Sequence, residues 1–514
     1  MKHIIYTFSF IAAIAAFPSC KKDWLETKPT DQVSDVVAFT SVANAKLALN
    51  GTYRLLYNQI DNQSQDGHGA MMINMDAMGE DLVWSANTYS YFKPAYRWNQ
   101  HNVETGALAL FPYQFYYMII ANANGIITNI DALPGAAEEK NAIKGEALAL
   151  RAWSYYYLVQ LYGKRYNAQA VPNTQAGVPL SLESATMETA TAGIPRASVE
   201  EVYEQMNTDL DEAIKLLSDA TVRTVKTHIN LQVAQGFKAR VALTMQNYTD
   251  AATYARLAQS GGTLMTNADY LAGFTSIGNN EWMWGANQLS TQVPTYGSFY
   301  AYMSTNFNSS WNRLEPKLIN SLLYAKIATT DIRKKLWWDG TTAEKTNFTG
   351  AIDAATGKTA STSKILKYMH RKFVVPDYSN KAGDIPYMRV AEMYLIEAEA
   401  LARAGKDGEA ADVLYKLAVN RNPSYVKSTN TGTALIDEIM IQRRLELWGE
   451  GFRFLDLKRT NTALDRTGAN HLVDPTAGTF TQAAPSTGNT SWEYKIPISE
   501  INANPAIGAA NQNP

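Results

Sequence analysis

Residues 385–422, IPYMRVAEMYLIEAEALARAGKDGEAADVLYKLAVNRN, constrain the fold more than any other stretch. Val390, Met393, Tyr394, Ala398 and Leu401 recur at the spacing of one buried helix face. Arg389, Glu392, Glu399 and Arg403 fall on another face, and Glu399 and Arg403 stand four apart, the separation of a stabilising ion pair. Gly405 ends this helix, because glycine takes the left-handed conformation at little cost. A second helix then carries Ala410, Val413, Leu414, Leu417 and Ala418 inward.

The alternation of large and small residues matches a tetratricopeptide unit, in which two helices approach closely. Tyr394 takes the tryptophan position, Ala398 and Ala410 the small positions, and Leu414 the phenylalanine position. Glu397 departs from the pattern, since leucine is expected there. A carboxylate on an apolar face needs a partner, and an internal arginine is the expected one. Residues 230–260 repeat the register, with Ala239, Ala242, Ala251, Ala255 and Ala258. Residues 138–217 give a third, interrupted unit, with Ala213 and Leu217 in the second-helix positions. The chain is therefore expected to be all-α: a right-handed helical solenoid with long loop-rich insertions and minor β-hairpins.

The first nineteen residues have a basic start at Lys2 and an apolar run over 4–17, and Cys20, the only cysteine, follows them. The run is too short for an ordinary spanning helix and has the shape of a secretory signal. Phe17-Pro18-Ser19-Cys20 is similar to a lipoprotein processing site, with Phe17 where leucine is more usual. Cys20 is thus the expected lipidated residue, residues 20–34 a tether, and 35–514 a single domain. Loop insertions are expected at about 58–104, 164–197, 263–384 and 460–514, with first and middle helices over 39–57, 108–130 and 138–162. A net charge of −2 offers no broad basic surface for nucleic acid.

Residues 435–459, LIDEIMIQRRLELWGEGFRFLDLKR, carry a ladder of alternating charge: Arg443, Glu446, Glu450, Arg453, Asp456 and Arg459. Such a ladder is expected to pin this element to its neighbours.

Several segments, in order, resemble those of the SusD/RagB family of outer-membrane nutrient-binding lipoproteins. They are MGEDLVWS, KGEALALRAWSYYYLVQLYG, IPYMRVAEMYLIEAEALARAG, IQRRLELWGEGFRFLDLKR and the closing IPISEINANP. Gln442 stands where that family usually has glutamate. The resemblance runs from Cys20 to the C-terminus. It implies a tetratricopeptide-like SusD fold and a protein anchored to the outer membrane, facing the exterior. It also implies a partner, a SusC-like TonB-dependent transporter, to which captured oligosaccharide is delivered. Some members take peptide instead, and a repeat scaffold binding only protein is the other alternative.

Sugar capture needs flat rings to stack on pyranose C–H faces and amides, carboxylates or guanidinium groups to bond the hydroxyls. Tyrosine and tryptophan are abundant, at 29 and 11, and two clusters, 89–98 and 282–311, fall in irregular stretches among Asn and Gln. Tyr91, Trp98, Trp282, Trp284, Tyr296 and Trp311 are the candidate ligand-binding residues. The six histidines are scattered without zinc spacing, and no nucleophile elbow or phosphate loop is present. No catalytic residue, metal or cofactor is expected. Asp76, Glu80 and Asp81, which lie close in sequence, are read as structural or ligand contacts and not as a glycosidase pair.

Overall fold

The computed structural model describes residues 39–86, 91–184, 186–218, 225–293, 297–305, 315–341, 366–375, 381–472 and 480–514. The expected leader, Cys20 and tether lie outside the described residues. No helix among the described residues is long and apolar enough to cross a membrane.

The frame is a succession of packed helices. The first, α1 (Val42–Leu55), is capped by Ser41, whose side chain accepts from the Asn44 amide at 3.2 Å. It buries Val42, Ala45, Leu49 and Tyr53. Helix α2 (Gly67–Ala77) lies within the stretch expected as a loop, and every one of its residues is buried. The Gly67-His68-Gly69 segment therefore starts a core helix. Gly67 has φ +54, and a Cβ there would lie 2.2 Å from the Leu56 carbonyl oxygen.

Helices α3 (Ala107–Asn129), α4 (Ala137–Tyr162) and α5 (Val199–Ser218) pack in order. From Gly145 to Tyr162, α4 is buried on every side, as its nearly unbroken run of Ala, Leu, Trp and Tyr requires. Gly145 lets α5 approach, since a Cβ there would meet Leu217 at 2.9 Å. Arg151 of α4 binds Asp209 of α5 through two hydrogen bonds of 2.8 and 2.7 Å and Asn124 of α3 at 2.9 Å. One guanidinium thus fixes three helices.

The two clear repeat units are α6 (Leu231–Thr244) with α7 (Tyr248–Ala258), and α8 (Val390–Arg403) with α9 (Asp407–Arg421). Helix α6 packs on α5, and α7 packs directly on α8, although more than a hundred residues separate them in the chain. The long insertion leaves and re-enters one continuous stack. Glu397 finds its arginine across this junction: Arg256 donates at 2.7 Å and Gln259 at 2.5 Å. The expected Glu399–Arg403 pair is present at 2.8 Å. Tyr394, expected on the buried face, is only half-buried, whereas Glu392 and Glu399 are buried. Bidentate arginines explain the inversion: Arg240 holds Glu392 at 2.7 and 2.6 Å, and Arg459 holds Glu399 at 2.7 Å twice.

Helices α10 (Gly432–Glu446) and α11 (Arg453–Arg459) carry the charge ladder into the interior. Arg444 binds Asp81, Arg453 binds Glu80, and the Gly451 amide donates to Asp76 at 3.0 Å. These bonds tie the end of the chain to α2 and to strand β1 (Leu82–Trp84).

The strands form four two-stranded sheets among the described residues. β2 (Ala176–Pro179) pairs with β3 (Arg196–Ser198), as a hairpin would. The other principal pairs join distant segments: β4 (Trp282–Ala286) with β6 (Ile385–Arg389), and β1 with β5 (Lys317–Ile319). β4 and β6 bring the insertion back to the stack at the point where α8 begins.

Candidate functional site

Several irregular segments are tied to one another by hydrogen bonds and ring contacts. The first, 58–66, closes on itself through a bridge between Gln59 and Asp66. The Tyr302 phenol donates to Gln63 Oε1 at 3.0 Å, and its ring meets Phe92 edge-on at 4.8 Å between centroids. Arg54 donates to the Gln292 carbonyl at 3.0 Å. The Ser298 hydroxyl donates to the Lys381 carbonyl at 3.2 Å, and the Thr305 amide to the Phe373 carbonyl at 3.2 Å. Lys93 holds Glu315 at 3.2 Å and the Ala86 carbonyl. Segments far apart in sequence thereby share one platform, built over α2 and the short helix Phe299–Met303.

The upper side of this platform is rich in amides. Asn62, Gln63 and Ser64 are half-exposed, Asp61 is exposed beside them, and Gln100 is exposed at the cleft that Ser64 lines. Tyr91 is half-buried and lines a narrow cleft with Ser64, Gln65, Asn74 and Gln100. The cleft holds only about 20 Å³, so it can seat a single group and cannot enclose a ligand. An open surface of this kind can bond hydroxyls from several sides while a phenol ring supplies contact area.

Of the six candidate aromatics, Tyr91 alone is seen on this platform. Three are corrected by the structure. Trp98 is 4 % exposed, donates from its indole to the Met78 carbonyl at 2.8 Å, and is packed among His101, Phe454, Phe480 and Trp492. Trp282 and Trp284 are wholly buried in β4, where Trp284 abuts Trp153, Phe237 and Tyr387. Trp282 and Trp284 fill the join between insertion and stack, and none of the three rings presents a face to solvent. Tyr296 and Trp311 lie outside the described residues. Gln63, Ser64 and Gln65, which stand with Tyr91 and Tyr302, are not among the candidate residues. Their signal was the polar run NQIDNQSQDGHG between two helical segments.

The acidic residues weighed for chemistry are internal. Glu80 and Asp81 are buried and engaged by Arg453 and Arg444. Asp76 is buried too, and desolvation pushes its carboxyl up to about 7 against the pull of the Gly451 and Arg453 amides. None of the three lines the cleft beside Tyr91. No cluster of three His, Cys, Asp or Glu side chains suited to a metal ion occurs among the described residues.

Comparison with known proteins gives a consistent result along the chain. A family model described as "Starch-binding associating with outer membrane" matches residues 23–243, and one described as "SusD family" matches 240–514. SusD-like protein P38 of Formosa agariphila is 24 % identical, with 90 % of this chain and 92 % of that protein covered. Among solved structures, a SusD-like carbohydrate-binding protein of Bacteroides vulgatus superposes with a TM-score of 0.78 at 28 % identity, covering 93 % of this chain and 99 % of its own. A laminarin-binding SusD-like protein shares the fold, with a TM-score of 0.68 at 19 % identity over 93 % of this chain and all of its own.

Proposed function

The chain belongs to the SusD family, and on that footing we propose that it is a glycan-capturing protein of the outer membrane, held by a lipid on Cys20. It binds oligosaccharide on the loop platform around Tyr91 and delivers it to a SusC-like TonB-dependent transporter, without cleaving it. The observation that carries this reading is the gathering of Gln63, Ser64 and Tyr91, with Asn62 bonded to Ser64, over α2 and the short helix Phe299–Met303. Ring contact with hydroxyl-bonding amides beside it is the chemistry of a neutral sugar. The carbohydrate-binding B. vulgatus relative and the membrane-associated family description support it. Glu80 and Asp81 are bound to arginines inside the protein and Asp76 accepts from the Gly451 and Arg453 amides there, which fits binding without hydrolysis.

Calorimetric titration tests the proposal. Laminarin-derived and starch-derived oligosaccharides and a mixed peptide library are added separately to the protein. Saturable heat with an oligosaccharide, lost in Tyr91→Ala, is the expected result. Saturable heat with peptide alone overturns the glycan reading, and reducing ends released from polysaccharide overturn the non-catalytic one.

A further inference from the structure

A second cleft lies between the loop that follows α4 and the C-terminal segment 485–493. It encloses about 300 Å³, at the lower end of the roughly 300–1,000 Å³ usual for small-molecule sites. Its walls are fixed before any ligand arrives. On one side Asn173 donates its backbone and side-chain amides to Glu200 Oε2 at 2.8 and 3.0 Å, and its own Oδ1 accepts from the Asn167 amide at 2.9 Å. On the other, Asn489 accepts from the Ser491 amide at 3.0 Å and donates to Gln482 at 2.7 Å. Beneath both, the ammonium of Lys458 donates to the carbonyls of Gln160, Gly163 and Trp492 at 2.6, 2.8 and 2.8 Å. The tail is thereby clamped to the end of α4.

The groups left over are charged. Glu493 lines the cleft and is 6 % exposed, yet its nearest cation is Lys458 at 3.9 Å, whose three protons are already committed to carbonyls. Its carboxylate accepts no hydrogen bond among the described residues. Burial pushes this carboxyl up, opposed by Lys458 and Lys164. At the rim, Lys164 forms no ion pair within 4 Å among the described residues, and Arg165 makes only a 3.5 Å contact to the Tyr166 carbonyl. A buried carboxylate that accepts no hydrogen bond among the described residues and two cations outside any close ion pair at the mouth complement one kind of ligand. We propose that this cleft is a second saccharide site, selective for a short sugar chain bearing a carboxylate or sulfate. The sugar hydroxyls donate to Glu493 within, and the anionic group is held by Lys164 and Arg165 at the rim.

The test is calorimetry of the full chain with trigalacturonate, a mannuronate trisaccharide, a sulfated carrageenan tetrasaccharide, maltotriose and inorganic sulfate. At least one acidic saccharide is expected to bind saturably. Lys164→Ala or Arg165→Ala should weaken it by about tenfold or more, as loss of a charge-assisted hydrogen bond does. Lys164 is exposed and Arg165 only partly buried, so neither change opens the core. Tyr91→Ala should leave this binding unchanged even if it abolishes capture on the loop platform, so the two sites succeed or fail separately. The carboxylate and sulfate probes distinguish which anion the rim prefers. The proposal is overturned if no acidic saccharide binds, if sulfate alone binds as tightly as the sugars, or if acidic-sugar binding survives the double Lys164→Ala, Arg165→Ala variant.

Discussion

Arg389, at the end of β6, meets Glu446, at the end of α10, at 3.1 Å with neither side chain exposed to solvent. The pair is the centre of a wholly buried ionic cluster. Glu446 also accepts from Arg421 at 3.0 Å and faces Arg333 at 3.4 Å, while Arg389 binds Glu450 at 2.6 Å and Glu281. Burial alone would push the Glu446 carboxyl up, but the three guanidinium groups outweigh it and hold the carboxyl far below the usual carboxylate range. The cluster joins the returning insertion, the repeat stack and the charge ladder at one point.

Removing the shared acceptor should therefore be severe. Glu446→Gln leaves three buried guanidinium groups short of a counter-charge and is expected to cost about 3–5 kcal/mol, read as a lower urea midpoint. Lys215→Ala, which breaks the solvent-exposed Lys215–Glu212 pair at 3.1 Å, should cost under about 1 kcal/mol in the same assay. Equal effects would contradict the role given to the cluster.

The acid side of the stability profile is set by the same type of contact. Burial would raise the Glu399 carboxyl, but Arg459 and Arg403 beside it prevail and hold it down at about 2. A carboxyl depressed in the folded state contributes stability above its unfolded pKa. That contribution fades as pH falls from about 4.5 toward 2. Glu399→Gln should lower stability at pH 7 and flatten the acid limb, measured by denaturation at stepped pH.

Asp66 works in the opposite sense. Both its oxygens are buried without a hydrogen-bond partner among the described residues, and desolvation pushes it up to about 8 despite nearby Arg54. The folded state therefore keeps a proton that the unfolded chain releases near pH 4. Its contribution is full below the unfolded pKa of 3.8 and is lost as pH rises through about 8. Asp66→Asn, which keeps the shape without the ionisation, should stabilise the protein at pH 9 relative to the parent and change little at pH 4. Destabilisation at pH 9 would show that the carboxylate is needed there.

The buried tryptophans give a fourth expectation. Trp284→Ala should cost about 3–5 kcal/mol, as truncation of a large core ring does, and leave oligosaccharide affinity unchanged under native conditions. A loss of affinity without a loss of stability would return β4 to the binding surface.

The frame was legible because its signals are local. Alanines at fixed spacing in 230–260 and 385–422 state where two helices touch, and a lone Glu397 on an apolar face demands an internal cation, which Arg256 supplies. The site was less legible because ring exposure is a long-range property. Trp282-Met283-Trp284-Gly285-Ala286 is a short apolar run, the mark of a buried strand, but flanking Asn and Gln gave it the look of a binding loop. Trp98 carried no such warning. Its burial depends on Phe454 and Trp492, more than 350 residues away in the chain. The amide-rich run over 58–66 was visible, but nothing in its own composition says that Tyr302 and Phe92 arrive beneath it.

Amide hydrogen exchange with and without a saturating neutral oligosaccharide tests the central claim most directly. Capture on the loop platform slows exchange in 58–66, at Tyr91 and in 287–293, with the helical stack unchanged. Protection confined to the concave or convex faces of the repeats, or none at all on the loop platform, would contradict it.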